Sequence, residues 1–165
     1  MTWTPMRVAA AVLLVGLSPF LVSFAQQRPN ASDANQAAIK KAVAVYSEAL
    51  NRHDAHAAAM CFAEDADFID PGGARAHGRK EIEQYFEEAF SNRLKTAHRK
   101  DSVRSVRFLT PEIAEVDNDW EVVGSRATDG SGVVMPPYKG IHAWVMTVHN
   151  GRWLITIFHG VRFPV

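Results

Sequence analysis

Cysteine is nearly absent: Cys61 stands alone among 165 residues. No disulfide can close within one copy of the chain, so the fold must rest on its apolar core. An excess of charge of either sign is also missing, with 18 Lys and Arg against 18 Asp and Glu. Without a basic surplus, nucleic acid is not an expected partner. Seven histidines occur, yet none forms the HExxH spacing that places two ligands on one helix face. No Gly-rich phosphate loop and no Gly-x-Ser-x-Gly elbow is present. Neither a metal nor a cofactor is therefore expected. Cys61 lies between Met60 and Phe62 and reads as a small buried hydrophobe, because no activating partner stands nearby in the sequence.

Long apolar runs are scarce as well. The one at the start spans Val8 to Leu17 and is broken by Ser18-Pro19, short of the ~20 residues that cross a bilayer. It follows the single charge of Arg7 and leads to Ser23-Phe24-Ala25, with no acid before Asp33. Charged start, short apolar stretch and small-x-small exit form the pattern of a secretory signal peptide cut after Ala25. The expected product is exported, periplasmic or secreted, and free of the membrane once cleaved. Removing residues 1–25 takes away Arg7 alone among charges and leaves 17 bases against 18 acids. Residues 26–36, polar and carrying Pro29, read as a flexible tether, and residues 37–165 as one domain.

Within that domain, Ser32 or Asp33 can cap a helix running to about Arg52, on which Ile39, Val43, Tyr46 and Leu50 make one apolar stripe. Asp54 can cap a shorter helix, Ala55 to Phe62. Ala66 to Asp70 reads as a strand with Phe68 and Asp70 on one face, ended by Pro71-Gly72-Gly73. A third helix starts near Gly78, with Ile82, Tyr85, Phe86 and Ala89 as its apolar side. Only strands are expected from Asp101 onward. The clearest carries Ala114, Val116, Asn118, Trp120 and Val122 on one face and Glu115, Asp117, Asp119 and Glu121 on the other. A Gly/Pro-rich loop follows at 127–137. Strands Gly140 to His149 and Arg152 to Phe163 are joined by Asn150-Gly151, a hairpin signal. Helices first and a meander second mark an α+β domain.

Four stretches carry a resemblance: Tyr46-Ser47-Glu48-Ala49-Leu50-Asn51-Arg52-His53-Asp54, Phe62 through Gly73, His77-Gly78-Arg79-Lys80-Glu81-Ile82, and Asn150-Gly151-Arg152-Trp153-Leu154-Ile155 near the end. Together they resemble the nuclear transport factor 2-like superfamily, in its ketosteroid isomerase-like and SnoaL-like branch, which includes the SgcJ/EcaC-like proteins. The resemblance spans roughly Ala37 to Val161. It implies a cone-shaped roll of three N-terminal helices packed in a curved antiparallel sheet, with an apolar pocket at the open mouth. It also implies a homodimer through the outer sheet face, on which the strand pattern sets Val123, Val145 and Phe158 as apolar residues among charges. One scaffold carries many functions in such superfamilies.

In ketosteroid isomerases a tyrosine on the first helix donates to an enolate oxygen, and an aspartate just before a proline moves the proton. Tyr46 and Asp70-Pro71 match those positions. The division of labour, a base held in a pocket and a donor for the developing oxyanion, is a known worked case for that enzyme. The chain departs from the pattern at the second donor, because His142-Ala143-Trp144-Val145-Met146 has no carboxylate; His142 or Trp144 would stand there instead. Tyr46, Asp70 and Asn118 are expected to point into one cavity. His159 would form its wall, and Trp120, Trp144 and Phe68 its apolar lining. The expected ligand is an apolar small molecule with one or two polar groups, and the expected chemistry that of a cofactor-independent isomerase, cyclase or dehydratase. Plainer roles fit the same residues: Tyr46 as a core aromatic, Asp70 as a turn former, Asn118 as a satisfied buried amide, His159 as a core histidine. On those the chain would be a non-catalytic dimeric binding or assembly module.

Overall fold

The computed structural model describes residues 31–164. The signal peptide and the first part of the tether lie outside the described residues. Nine elements follow in order: α1 (Ala31–Asn51), α2 (Ala55–Ala59), β1 (Phe62–Ile69), β2 (Arg75–His77), α3 (Gly78–Ser91), β3 (His98–Thr110), β4 (Ile113–Val123), β5 (Tyr138–His149) and β6 (Arg152–Arg162). Helix α1 already begins at Ala31, so residues 31–36 are its first turns and not part of a tether.

The stripe of Ile39, Val43, Tyr46 and Leu50 is buried, as the 3–4 residue spacing requires of a helix that covers a sheet. Asp54 caps α2, its Oδ1 accepting from Ala57 N at 2.8 Å. That helix stops at Ala59, three residues earlier than its alanine content suggests. Phe62 is fully buried and already paired with Ile155 of β6; burial and ladder bonds outweigh helix propensity here. Strand β1 is correspondingly longer than the expected Ala66–Asp70.

The six strands form one sheet in the order β2-β1-β6-β5-β4-β3. Every pairing is antiparallel except β1 with β6, which is parallel. The β5–β6 hairpin turns at Asn150 and Gly151, both with positive φ, at 50° and 75°, as a tight two-residue hairpin demands. Alternation on β4 holds throughout: Ala114, Val116, Asn118, Trp120 and Val122 are all buried. On β6 it breaks. Met146 pairs with Ile155, but Val145 pairs with Ile157, so Thr156 is an extra residue that reverses the facing of all that follows. Phe158 turns inward, 2 % exposed, and His159 turns outward.

The core lies between α1, α3 and the inner sheet face. Tyr46 sits at its centre, edge-on to Phe62, Phe86, Trp144 and Phe158 with ring centroids 5.5–6.2 Å apart, the separation and tilt that aromatic quadrupoles favour.

Candidate functional site

Toward one end of the sheet this packing opens into a cleft of about 710 Å³, within the range of small-molecule sites. Its inner walls are Tyr46, Phe68, Phe86, Phe90, Trp120 and Phe158; its rim is the 125–135 loop with Tyr138 and Arg162. Two polar groups are built into it.

The first hangs on the turn after β1. Pro71 packs on the Gly160 backbone so closely that a Cβ there would lie 2.7 Å from the proline ring. The glycine thus lets the turn settle against β6. Asp70, 7 % exposed, then accepts from Gly72 N and Ala74 N through Oδ1, both at 2.8 Å. Its Oδ2 accepts from the Tyr85 hydroxyl at 2.6 Å and from Arg93 Nη2 at 3.2 Å. Arg93 also donates to the Tyr85 oxygen. Burial is the largest influence on the Tyr85 phenol and pushes its pKa up, so it stays protonated and donates.

The second lies deeper. Asn51 at the end of α1 clamps β3 by a reciprocal pair: its Nδ2 donates to Arg99 O at 2.8 Å and its Oδ1 accepts from Arg99 N at 2.7 Å. The Arg99 side chain, 13 % exposed, forks onto Asp101, 1 % exposed, with Nε to Oδ2 and Nη2 to Oδ1 both at 2.8 Å. Asn118 Nδ2 donates to the same carboxylate at 2.6 Å. Arg99 Nη2 also faces His142 Nδ1 at 3.0 Å. Burial, and then the neighbouring guanidinium, hold the His142 pKa well below the ordinary value, so the imidazole is neutral and accepts from Arg99. Burial alone would lower the Arg99 pKa, but Asp101 outweighs it and the net shift is upward. The guanidinium lies over Trp120 and near Tyr46, its Cζ 5.2 and 5.9 Å from the ring centroids. Burial raises the Tyr46 phenol far above its ordinary pKa. Its hydroxyl, protonated and in the cleft wall, makes no hydrogen bond among the described residues.

Of the residues expected at the site, Tyr46, Asp70, Phe68, Trp120 and His142 line this cleft. Three do not. Asn118 is fully buried behind it, holding Asp101. Trp144 is packed in the core against Tyr46 and Phe158. His159 is exposed on the other side of the sheet, beside Asp67 and His77 in a shallow groove; the Thr156 bulge moved it there. The same bulge removes Phe158 from the outer face, where it was expected to serve a dimer contact.

Tyr85, Arg93, Arg99 and Asp101 were not among the expected site residues. Tyr85 reads from sequence as one more apolar-side residue of α3, and Arg93 and Arg99 fall between that helix and the first expected strand residue, Asp101, where no pattern singles them out. A signal did exist for the buried pair: Asn118 and His142 occupy inward positions on neighbouring strands, and two polar groups in such places need a charged or polar partner.

The SnoaL-like domain model matches residues 43–154. No curated protein matches the chain in sequence. Among solved structures, a domain of unknown function with a cystatin-like fold from Nostoc punctiforme PCC 73102 is 27 % identical, covering 80 % of this chain and 79 % of that one, with a TM-score of 0.67. A ketosteroid isomerase-like protein from Erwinia carotovora atroseptica is 19 % identical over 78 % of this chain and 96 % of its own, TM-score 0.65. A type 2 hexachlorocyclohexane dehydrochlorinase is 12 % identical over 81 % and 88 %, TM-score 0.71. The last two show the fold alone. With the domain model covering residues 43–154 and so every side chain of both polar groups of the cleft, the chain belongs to the SnoaL-like domain family.

Proposed function

We propose that the chain binds an apolar small molecule bearing a carbonyl or hydroxyl oxygen in this cleft and moves a proton on it, as an isomerase, cyclase or dehydratase. Asp70 is the proposed base and Tyr46 the proposed donor to the oxygen that gains negative charge. The observation that carries the reading is the meeting of the two in one aromatic-walled cleft, with the Tyr46 hydroxyl uncommitted. Arg99, held by Asp101, adds a fixed positive charge beside Tyr46, where a preorganised dipole or charge acts most strongly on a developing oxyanion. For Asp70 to take a proton, Oδ2 must give up a hydrogen bond from Tyr85 or Arg93, which could pass to the ligand.

Proton exchange at carbon tests this. A panel of cyclic ketones is incubated with the protein in D2O and followed by proton NMR. The expected result is loss of α-proton signal for at least one ketone, abolished by Asp70→Asn. Exchange that persists in Asp70→Asn removes Asp70 as base.

A second reading has an observation of its own. Four donors surround Asp70, two of them backbone amides of its own turn, and this is the environment of a structural carboxylate. On that reading the cleft binds without chemistry; ligands bind, no ketone exchanges, and Asp70→Asn lowers stability alone.

A further inference from the structure

Arginines crowd the cleft. Arg93, Arg99, Arg126 and Arg162 line it, against Asp70 and Asp129. Arg93 is paired with Asp70, and Arg99 with Asp101. Arg126 and Arg162, at the rim, form no ion pair among the described residues. Arg126 gives Nη1 to Gly132 O at 3.2 Å, while its Nε is buried with no partner. Arg162 lies over Tyr138, its Cζ 4.2 Å from the ring centroid. Asp129, the remaining acid, accepts from Ser131 N at 2.9 Å in its own loop. The two side-chain atoms of the cleft wall that are buried without a partner, Arg126 Nε and Trp120 Nε1, are both N–H donors. They mark the sign of the wall: it offers protons and positive charge and keeps its carboxylates occupied.

The sheet register brings these groups to one end. Gly140 of β5 pairs with Trp120 of β4 on one side and Arg162 of β6 on the other, and Val122 pairs with Tyr138. Tyr138 stands edge-on to Trp120 at 5.7 Å. An aromatic floor is thus bounded by two guanidinium groups that lack a carboxylate. Arginine is the side chain best shaped to take a carboxylate in a fork; Arg162 is exposed, whereas Arg126 is half-buried, and a partly desolvated cation gains more from such a partner than an exposed one does.

We infer that the cleft takes an organic monoanion: an apolar, ring-sized body against Trp120 and the phenylalanines, ending in a carboxylate held at the rim by Arg126 and Arg162. This rests on the reading of the cleft as a small-molecule site and names the ligand class.

The test compares 2-naphthoate with 2-naphthamide, equal in shape and different in charge, by isothermal titration calorimetry on the full chain. Naphthoate should bind about tenfold or more tightly, and the preference should shrink as NaCl rises from about 20 to about 500 mM. In Arg126→Gln/Arg162→Gln, with unchanged circular dichroism, the preference should vanish while the amide binds as before. Equal affinity for acid and amide, or a tighter amide, overturns the anion inference and leaves the small-molecule reading standing. Binding of neither overturns both. A preference that survives in the double variant overturns the assignment to Arg126 and Arg162. The native-protein comparison decides the ligand class even if the double variant fails to fold.

Discussion

Asp101 is the residue on which the inner site depends most. Its carboxylate is 1 % exposed and receives Arg99 and Asn118. Removing its charge strands a buried guanidinium, a change that typically costs ~3–5 kcal/mol. Asp101→Asn should therefore lower the denaturant midpoint strongly and dislodge Arg99; a midpoint equal to the parent's would show that Arg99 has another support. Tyr46→Phe makes the opposite forecast. The hydroxyl makes no hydrogen bond among the described residues, so the melting temperature should hold while any turnover falls, and turnover equal to the parent's would remove Tyr46 as donor. His142 bears on pH. Its folded pKa lies well below 6.5, so the unfolded chain binds the proton more readily. Stability from this group is full above the unfolded pKa and is lost as pH falls through it toward the folded value. The His77 pKa is raised by Asp67, so its contribution is present at low pH and lost as pH rises. It is fully exposed, and screening keeps it small. Thermal melts should thus fall from pH 7.5 to 5.5, and His142→Gln should flatten the slope; an equally steep slope in the variant would place the effect elsewhere.

At the scale of elements, the Thr156 bulge and the close approach at Gly140 decide what the cleft contains. A Cβ on Gly140 would stand 1.9 Å from Val161 O and 2.5 Å from Trp120 Cζ2, and a backbone oxygen cannot yield as a flexible side chain can. Gly140→Ala should push β5 from β6 and displace the Trp120 ring. It should destabilise the fold by roughly 1–3 kcal/mol, with a shifted tryptophan emission. Unchanged emission and melting would contradict the packing described for β4–β6. The bulge has the larger consequence. Without it, strict alternation along β6 would carry His159 to the inside and Phe158 to the outside, and the aromatic core around Tyr46 would lose one of its four rings.

For the whole molecule, export and self-association remain proposals with direct measurements. Arg7, the short apolar run and Ser23-Phe24-Ala25 motivate cleavage after Ala25. Intact mass of protein recovered outside the cytoplasm should begin at Gln26; a full-length mass there would contradict it. The proposed homodimer would use the outer sheet face. That face carries Arg104–Asp119 and Arg107–Glu115 pairs between β3 and β4, with Val123 and Val161 exposed near one end. Phe158 lies inside, and the same bulge turns Ile157 and Val161 outward, so the apolar contact such an interface offers is aliphatic rather than aromatic. Light scattering at micromolar concentration should give twice the chain mass, and a monomer mass would exclude the dimer.

Local patterns along the chain were enough to place α1, α3, β4 and the β5–β6 hairpin. Each rests on a repeat of 3.6 or 2 residues, or on a turn dipeptide, whose physics is confined to neighbouring positions. The α1 stripe and the strand face shared with Phe68 directed Tyr46 and Asp70 toward one cavity, and both stand in the wall of the same cleft. What local pattern could not reach were relations between strands. The early stop of α2 was set by Phe62 pairing with Ile155, 93 residues away in the chain. The outward turn of His159 was set by one extra residue in a ladder, which no periodicity reveals before the partner strand is known. Asn118 looked like a ligand contact because it is the one polar member of its strand face; its partner, Asp101, stands on a neighbouring strand, beyond the reach of that pattern. Burial, the property that makes Arg99 and Asp101 matter, belongs to no single residue; it exists only once α1 and the curved sheet have closed over them.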